Sequence, residues 1–171
     1  MGADDVMARL ARQIDAAAQR ERALADMEEI ASLRLRGAGE LHRVCAAFVA
    51  SLNSRIAAPA VELSPPEWTA EMLREPGVNL VQIFSQGRIL QIAFEAPVPP
   101  VSTEKFAIPY VLEGELRAYN QQMLERFEIR SRLLYYCVER GEAAWRVFDW
   151  RTKWSGPLDC ALLAGVMESL F

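Results

Sequence analysis

The stretch PYVLEGELRAYNQQMLERFEIRSRLLY, residues 109–135, carries the strongest fold signal in this chain of 171 residues. Apolar and charged side chains alternate through it on both sides of a polar break at Gln122-Met123. Such alternation is typical of strands that bury one face, and a polar break between two of them indicates a turn. We therefore predict two antiparallel strands joined by a tight hairpin.

The charges set the register of this predicted hairpin. With the turn at Gln122-Met123, the charged pairs across one face are all complementary: Glu113 with Arg132, Glu115 with Arg130, Arg117 with Glu128, and beside them Tyr119 with Arg126. The other face pairs Tyr110 with Tyr135, Leu112 with Leu133, Gly114 with Ser131, Leu116 with Ile129, and Ala118 with Phe127. A turn one residue earlier would oppose like charges, which is destabilising. We predict the first register, with the charged face in solvent and the other face in the core.

Two segments on the N-terminal side of this hairpin also have strand character. Residues 80–84 and 89–94 are strongly apolar and flank Ser85-Gln86-Gly87-Arg88, which has glycine where a hairpin turn needs a positive φ. Prolines at positions 97, 99 and 100 end the second segment, since proline cannot donate to a strand ladder.

A further strand at 143–150 follows a turn at Arg140-Gly141, and two forms of this turn are open. A three-residue turn places Trp145 and Val147 on the core face, beside Tyr135 and Leu133. A two-residue turn sets Arg132 opposite Asp149 and sends Trp150 and Phe148 inward. We favour the three-residue turn, because the alternative needs Arg140 in the left-handed conformation.

The first third of the chain reads as helix. Residues 4–36 contain no glycine or proline, which predicts one long helix or two abutting helices that partly overhang the domain. Their heptad seam begins Met7, Leu10, Ile14, Ala17 and continues Glu21, Leu24, Glu28, Ala31, Leu35. Glutamate in two core positions rules out a strict coiled coil, so we favour an amphipathic helix and leave open whether it packs in cis or in trans.

Gly37-Ala38-Gly39 is predicted to break the helix, and a second helix is predicted from Glu40. Its apolar stripe has helical spacing: Leu41, Val44, Cys45, Phe48, Val49, Leu52 and Ile56. A final helix is predicted to begin near Pro157, with Ser155 as its cap.

The predicted fold is therefore α+β, with two N-terminal helices, an antiparallel meander sheet of about five strands, and a C-terminal helix packed on the sheet. We expect a single domain over 1–171, with a helical part at 4–57, the sheet at 79–150 and the last helix at 157–170.

Composition narrows the classes of function. A net charge of −4 and a pI near 5.2 argue against a nucleic-acid partner. The sequence has neither the apolar core of a signal peptide nor a membrane-spanning run, so we expect a cytoplasmic protein with no membrane partner. Cys45, Cys137 and Cys160 are widely spaced, and we expect them to behave as small hydrophobes.

No residue pattern indicates catalysis. His42 is the only histidine, and it is expected at the surface or at a cap; Cys45, three residues on, lies on the same helix face. Gly37-Ala38-Gly39 follows a helix and therefore lacks a phosphate-binding context. Glu113 and Glu115 have predicted arginine partners that would keep them ionised. We assign no catalytic residue, no metal ligand and no cofactor.

Two candidate binding regions remain. Trp150, Arg151 and Trp154 combine residue types that are enriched at binding surfaces. Tyr110 and Tyr135, together with Leu112 and Leu116, are the predicted lining of an apolar pocket between the sheet and a helix.

Two functional hypotheses follow. The favoured one is a non-catalytic interaction or regulatory module, which self-associates or docks a protein partner through the N-terminal helix or the 150–154 edge. The alternative is a carrier of a small apolar ligand. An enzyme is the least favoured reading, because no site can be assembled from the spacing of the residues.

Overall fold

A computed structural model of the chain describes residues 2–23 and 27–171. It is an α+β structure with one antiparallel sheet, in which the strands lie side by side in chain order. The strands are β1 Glu62–Ser64, β2 Asn79–Ser85, β3 Arg88–Glu95, β4 Tyr110–Asn120, β5 Arg130–Glu139, β6 Glu142–Asp149 and β7 Trp154–Pro157. The predicted antiparallel sheet is confirmed, but it has seven strands among the described residues rather than about five.

The two additional strands lie at the edges of the sheet and outside the predicted span 79–150. β1 has three residues and precedes Pro65, and β7 has four residues and ends at Pro157. Segments this short carry no readable alternation, and proline is tolerated at sheet edges because no neighbouring strand needs its missing donor.

The described helices are α1 Ala3–Ala23, α2 Met27–Asn53, the single turn α3 Gln121–Glu125 and α4 Cys160–Glu168, with a 3-10 turn at Ala70–Met72. None of them is long and apolar enough to cross a membrane. The part of the predicted 4–36 helix at 24–26, including the seam residue Leu24, lies outside the described residues.

α2 passes through Gly37-Ala38-Gly39 without interruption, so the predicted helix break is wrong. A Cβ added at Gly37 would lie 2.6–2.9 Å from ring atoms of Tyr136. The indole Nε1 of Trp145 donates a hydrogen bond to the Gly37 carbonyl oxygen at 2.7 Å. Gly37 is therefore present to let the helix approach the sheet closely, which outweighs its cost to the helix.

α2 and α4 cover one face of the sheet, here called the inner face. The predicted stripe is confirmed along α2, since Leu41, Cys45, Phe48 and Val49 are buried and Val44 and Leu52 pack against the same core. Ile56 also packs there, but from the segment after the end of α2. Sheet residues in this core include Val81, Ile83, Leu90, Ile92, Leu116, Leu134, Tyr136, Trp145 and Val147. The main core therefore lies between the two helices and the inner face.

The opposite, outer face is covered over a smaller area. There Tyr110, Tyr135 and Cys137 form a second buried cluster. Phe106 and Ile108, from the segment between β3 and β4, pack against it. This segment covers the outer face where β4 and β5 meet.

The predicted register between β4 and β5 is wrong. Glu113 lies opposite Tyr135 instead of Arg132, a slip of three residues. The connection is not a tight turn, because α3 is inserted with its first turn capped by Asn120, whose side chain accepts from the Met123 N–H at 2.9 Å.

A slip by an odd number exchanges the two faces of a strand. Leu134 and Tyr136 therefore face α2 and are fully buried, while Leu133 and Tyr135 face outward. Burying a large side chain is worth about 1.5–3 kcal/mol, whereas an exposed ion pair contributes roughly 0–1 kcal/mol. The core contacts decide the register, and the predicted ladder of ion pairs does not form.

The turn between β5 and β6 has two residues, so the favoured three-residue form is also wrong. Arg140 and Gly141 have φ values of +53° and +81°, and Glu139 pairs with Glu142. Two positive φ values give the turn a twist that matches its strands, which compensates for the left-handed Arg140. Trp145 and Val147 do face the core, but their neighbours on β5 are Tyr136 and Leu134.

The last helix begins later than predicted. Ser155 and Pro157 belong to β7, and α4 is capped by Asp159, whose side chain accepts from the Leu162 N–H at 2.8 Å. Cys160 lies in the first turn of α4 and is exposed, in contrast to the expectation that it packs as a small hydrophobe.

Replacing Gly37 by alanine should destabilise the fold, and Gly39 offers a matched control in the same helix. Gly37→Ala should lower the free energy of unfolding by about 1–3 kcal/mol, because the new methyl group overlaps the Tyr136 ring. Gly39→Ala should raise it by about 0.5–1 kcal/mol, since no atom beyond the neighbouring residues and the helix's own backbone lies within 4 Å of the added Cβ. Urea unfolding of both variants measures the difference, and equal shifts would contradict this account of Gly37.

Candidate interaction surfaces

The side of α1 that carries its apolar residues is open to solvent. From Ala3 to Arg20, every side chain of this helix is exposed except Ala18, which is half-buried. Val6, Met7, Leu10 and Ile14 lie on one side of the helix and are between 43% and 64% exposed. We call these four residues the α1 stripe. A row of large apolar side chains left in solvent is typical of an interaction surface.

The C-terminal part of α1 lies beside the rest of the structure. Ala17 and Arg20 line a cavity of about 470 Å³ together with Ile108, Pro109 and Arg140. At 21 residues the helix is about 31 Å long, so its first half projects beyond this point of contact. The predicted overhang is therefore present.

Charge is distributed unevenly along α1. Asp4 and Asp5 occupy its first turn, where the helix dipole favours negative side chains. Arg9, Arg12 and Arg20 follow, with Asp15 the one acidic residue between Val6 and Arg20. The helix therefore has an acidic beginning and a more basic remainder.

The predicted Trp150, Arg151 and Trp154 edge lies at the end of β6 and the start of β7. Trp150 is 56% exposed and Trp154 is 45% exposed. The Arg151 guanidinium lies over the Trp150 ring, with its Cζ 5.3 Å from the ring centroid, a cation–π arrangement. Trp154 also packs across Gly156, where an added Cβ would overlap its ring.

Phe127 is a further exposed aromatic, in contrast to its predicted position in the core opposite Ala118. It lies in the connection after α3 with a φ of +55° and is 94% exposed. Its exposure follows from the insertion of α3, because residues 121–129 form a connection and not a continuation of the strands. The asparagine cap before α3 was the signal available in the sequence.

Tyr110 and Tyr135 are brought together, but not in the predicted pocket. Their ring centroids are 4.8 Å apart, and Phe106 stacks on Tyr135 at the same distance. Both tyrosines are buried on the outer face, whereas Leu112 and Leu116 are buried on the inner face. The four residues therefore line no common cavity.

Burial also governs the acid–base character of this cluster. Burial, followed by the nearby Tyr110 and Glu113, raises the pKa of Tyr135 to about 12. The phenol of Tyr135 therefore remains protonated at neutral pH, and the cluster is a packing feature of the outer face.

His42 is buried, contrary to the expectation of a surface or capping histidine. Its Nε2 lies 2.8 Å from the Pro65 carbonyl oxygen, and its ring lies beside that of Trp68. Burial raises the pKa of Cys45, one helical turn away, to about 12. A thiol held neutral in this way is a poor nucleophile.

Within residues 2–23 and 27–171, no three histidine, cysteine or carboxylate side chains are grouped so that they could hold a metal ion.

The three cysteines should react very differently with a thiol reagent. Cys160 is exposed, while burial raises the pKa of both Cys45 and Cys137 to about 12. At pH 8 the native protein should therefore react rapidly at one thiol, and the other two should react only after denaturation. Titration with Ellman's reagent measures the number, and Cys160→Ser should remove the rapid phase. Rapid reaction at two or three thiols would contradict the burial described here.

Comparison with known proteins gives no functional information. No protein-family model, no curated protein and no solved structure matches this chain. The function has to be argued from the surfaces of the molecule itself.

Proposed function

We propose that this protein is a non-catalytic interaction module that self-associates through the α1 stripe. The observation that carries the proposal is the contrast between two helices. α2 buries its apolar side in the core, whereas α1 keeps Val6, Met7, Leu10 and Ile14 in solvent. Exposed apolar side chains at helical spacing are the pattern of a helix that docks on another helix.

The occupant that fits the stripe best is the α1 helix of a second copy. Met7, Leu10, Ile14 and Ala17 follow heptad spacing, and two such seams pack together in an antiparallel pair by setting Leu10 near Ile14 and Met7 near Ala17. The seam is a narrow one of two heptads, which matches a helix pair better than a broad groove.

Charge favours the antiparallel arrangement. In a parallel pair, the acidic first turns, with Asp4 and Asp5, would lie side by side and repel each other. In an antiparallel pair, each acidic first turn lies alongside the part of the partner helix that carries Arg20, and the two helix dipoles also oppose each other favourably.

The expected dimer is weak. The four stripe residues are already about half covered, so pairing adds on the order of 1 kcal/mol for each of them. Association also costs several kcal/mol of lost freedom. We therefore expect a concentration-dependent dimer with a dissociation constant on the order of micromolar or weaker.

We also propose that the protein is located in the cytoplasm. Among the described residues no cysteine is in a disulfide, and one thiol is exposed, which suits a reducing compartment.

A second interaction surface is formed by Trp150, Arg151 and Trp154. A different protein partner with an acidic group opposite Arg151 would fit there. The net charge of −4 still disfavours nucleic acid.

The alternative function, a carrier of a small apolar ligand, is supported by a groove in a different place from the predicted pocket. The groove holds about 300 Å³ and is lined by Phe48 and Leu52 of α2 and by Met167 and Phe171 near the C-terminus. Its lining is mostly apolar, as a site for an apolar ligand requires.

Introducing charge into the stripe should abolish the dimer. Leu10→Glu combined with Ile14→Glu places four carboxylates in one small seam, so the protein should be monomeric over the whole concentration range. Glutamate is a good helix former, which keeps α1 intact. Val98→Glu is the matched control, because Val98 is fully exposed between β3 and β4 and lies outside the stripe.

Native mass spectrometry and sedimentation equilibrium measure the outcome. A wild-type protein that is monomeric at the highest concentration would contradict self-association, and a stoichiometric extra mass on that monomer would favour the carrier. Orientation is tested by disulfide formation in a Cys160→Ser background. Met7→Cys mixed with Ala17→Cys should cross-link in the antiparallel pair, whereas a parallel pair would cross-link each variant with itself.

A further inference from the structure

A cleft of about 260 Å³ opens on the inner face of the sheet, where β5 begins and β6 ends. Leu116 and Ala118 of β4 form its apolar floor, and Val166 of α4 contributes to one wall. Three arginines also line it, Arg130, Arg132 and Arg151. No other cleft described above combines this density of positive charge with an apolar floor.

The register of β5 brings these arginines together. Arg130 and Arg132 are two residues apart on one strand, so both side chains lie on the same face. Arg132 lies opposite Leu116 and Arg130 opposite Ala118, which places both on the inner face. The register predicted from the charges instead set Arg132 opposite Glu113 and Arg130 opposite Glu115, on the solvent-exposed face. Arg151 comes from the turn between β6 and β7.

The guanidinium groups of the cleft are poorly satisfied within the described residues. Neither Arg130 nor Arg151 forms an ion pair there, and the Arg151 guanidinium lies over the Trp150 ring. The Arg132 Nε lies 3.9 Å from Asp149 Oδ2, which is longer than a hydrogen bond. The three arginines thus line the cleft with one long ion pair among them, from Arg132 to Asp149.

Asp149 is the one carboxylate in the cleft, and it is already engaged. Its Oδ1 accepts the Arg151 backbone N–H at 3.0 Å. Partial burial works against its ionisation, but this bond, a second one from the Thr152 backbone and the charge of Arg132 hold its pKa below the usual value. Three arginines against one carboxylate leave the cleft with a formal charge of +2, in a chain whose net charge is −4.

We propose that this cleft binds the phosphate group of a small phosphate monoester. A phosphate monoester carries about −1.5 to −2 charges at pH 7 and three strong acceptor oxygens, which matches the charge and the donors of the cleft. Guanidinium groups bind phosphate oxygens through two parallel hydrogen bonds, which gives arginine an advantage over lysine at such a site.

The size of the cleft indicates more than a bare phosphate ion. Its volume corresponds to about nine water molecules, at about 30 Å³ for each. Phosphate has five non-hydrogen atoms and would fill only part of it. The remaining space lies against Leu116, Ala118 and Val166, so the ester group should be small and apolar.

The cleft does not suit a nucleic acid or a simple carboxylate. A nucleic-acid strand needs a continuous basic track, whereas these three arginines lie at one open cleft in an acidic protein, and two of them, Arg130 and Arg151, are exposed. A carboxylate would neutralise only one of the two surplus charges. The dianion is therefore the better match.

Isothermal titration calorimetry at constant ionic strength tests the proposal with three probes: phenyl phosphate, inorganic phosphate and benzoate. Phenyl phosphate should bind most tightly, because it fills both parts of the cleft. Arg130→Gln combined with Arg151→Gln should weaken its binding roughly tenfold or more, since two charged hydrogen-bond donors to the phosphate are lost.

Arg43→Gln combined with Arg126→Gln is the matched control. It removes the same charge from exposed positions outside the cleft and should change the affinity less than about twofold. Arg130→Lys keeps the charge but loses the fork, so it should bind phenyl phosphate more weakly than the wild type. Thermal unfolding of each variant verifies that it is folded.

Three outcomes would overturn the proposal. These are the absence of binding by any phosphate probe, equal losses in the two double variants, or benzoate binding as tightly as phenyl phosphate. Each outcome is independent of the α1 dimer, because none of the three arginines lies in the stripe.

Discussion

The close contact between α2 and the sheet at Gly37 sets the position of nearly everything else. The absence of a side chain there lets the helix backbone lie against the ring of Tyr136. The hydrogen bond from Trp145 then fixes the helix along its axis, since a buried indole N–H needs an acceptor. With α2 held in this way, its buried stripe faces the strands and α4 can pack beside it. A compact residue in the helix therefore determines the thickness of the core.

The contact with α2 also explains which parts of the fold can be predicted from local sequence patterns and which cannot. Alternation in residues 109–135 predicts strands, because a half-buried strand has a period of two. It cannot tell which face of β5 is buried, since Leu133 and Leu134 are equally apolar. The choice is made by α2, which covers Leu134 and Tyr136. The complementary charges favour the other register, but that register does not form, because exposed ion pairs contribute little to stability.

The candidate surfaces also differ in whether they could be predicted from the sequence. Exposure of the α1 stripe and of Trp150 and Trp154 could be anticipated, because it depends on one helix and on one strand end. The arginine cleft could not, since it requires the true face of β5, the turn after β6 and the end of α4 at once. The burial of His42 could not be predicted for the same reason. Its hydrogen-bond partner is the backbone oxygen of Pro65, from a different segment, and a backbone oxygen leaves no signal in the sequence. Sites assembled from several elements need the tertiary structure.

The order of elements along the chain has a consequence for biosynthesis. Each strand pairs with its neighbour in sequence, so the hairpins of the sheet can close as soon as they leave the ribosome. The contact between Gly37 and Trp145, by contrast, spans 108 residues. During translation α2 emerges before the sheet, and its apolar side has no native surface to cover until most of the chain has been made. Among the segments that end in the main core, newly made α2 is thus the one with the longest exposure to chaperones and to aggregation.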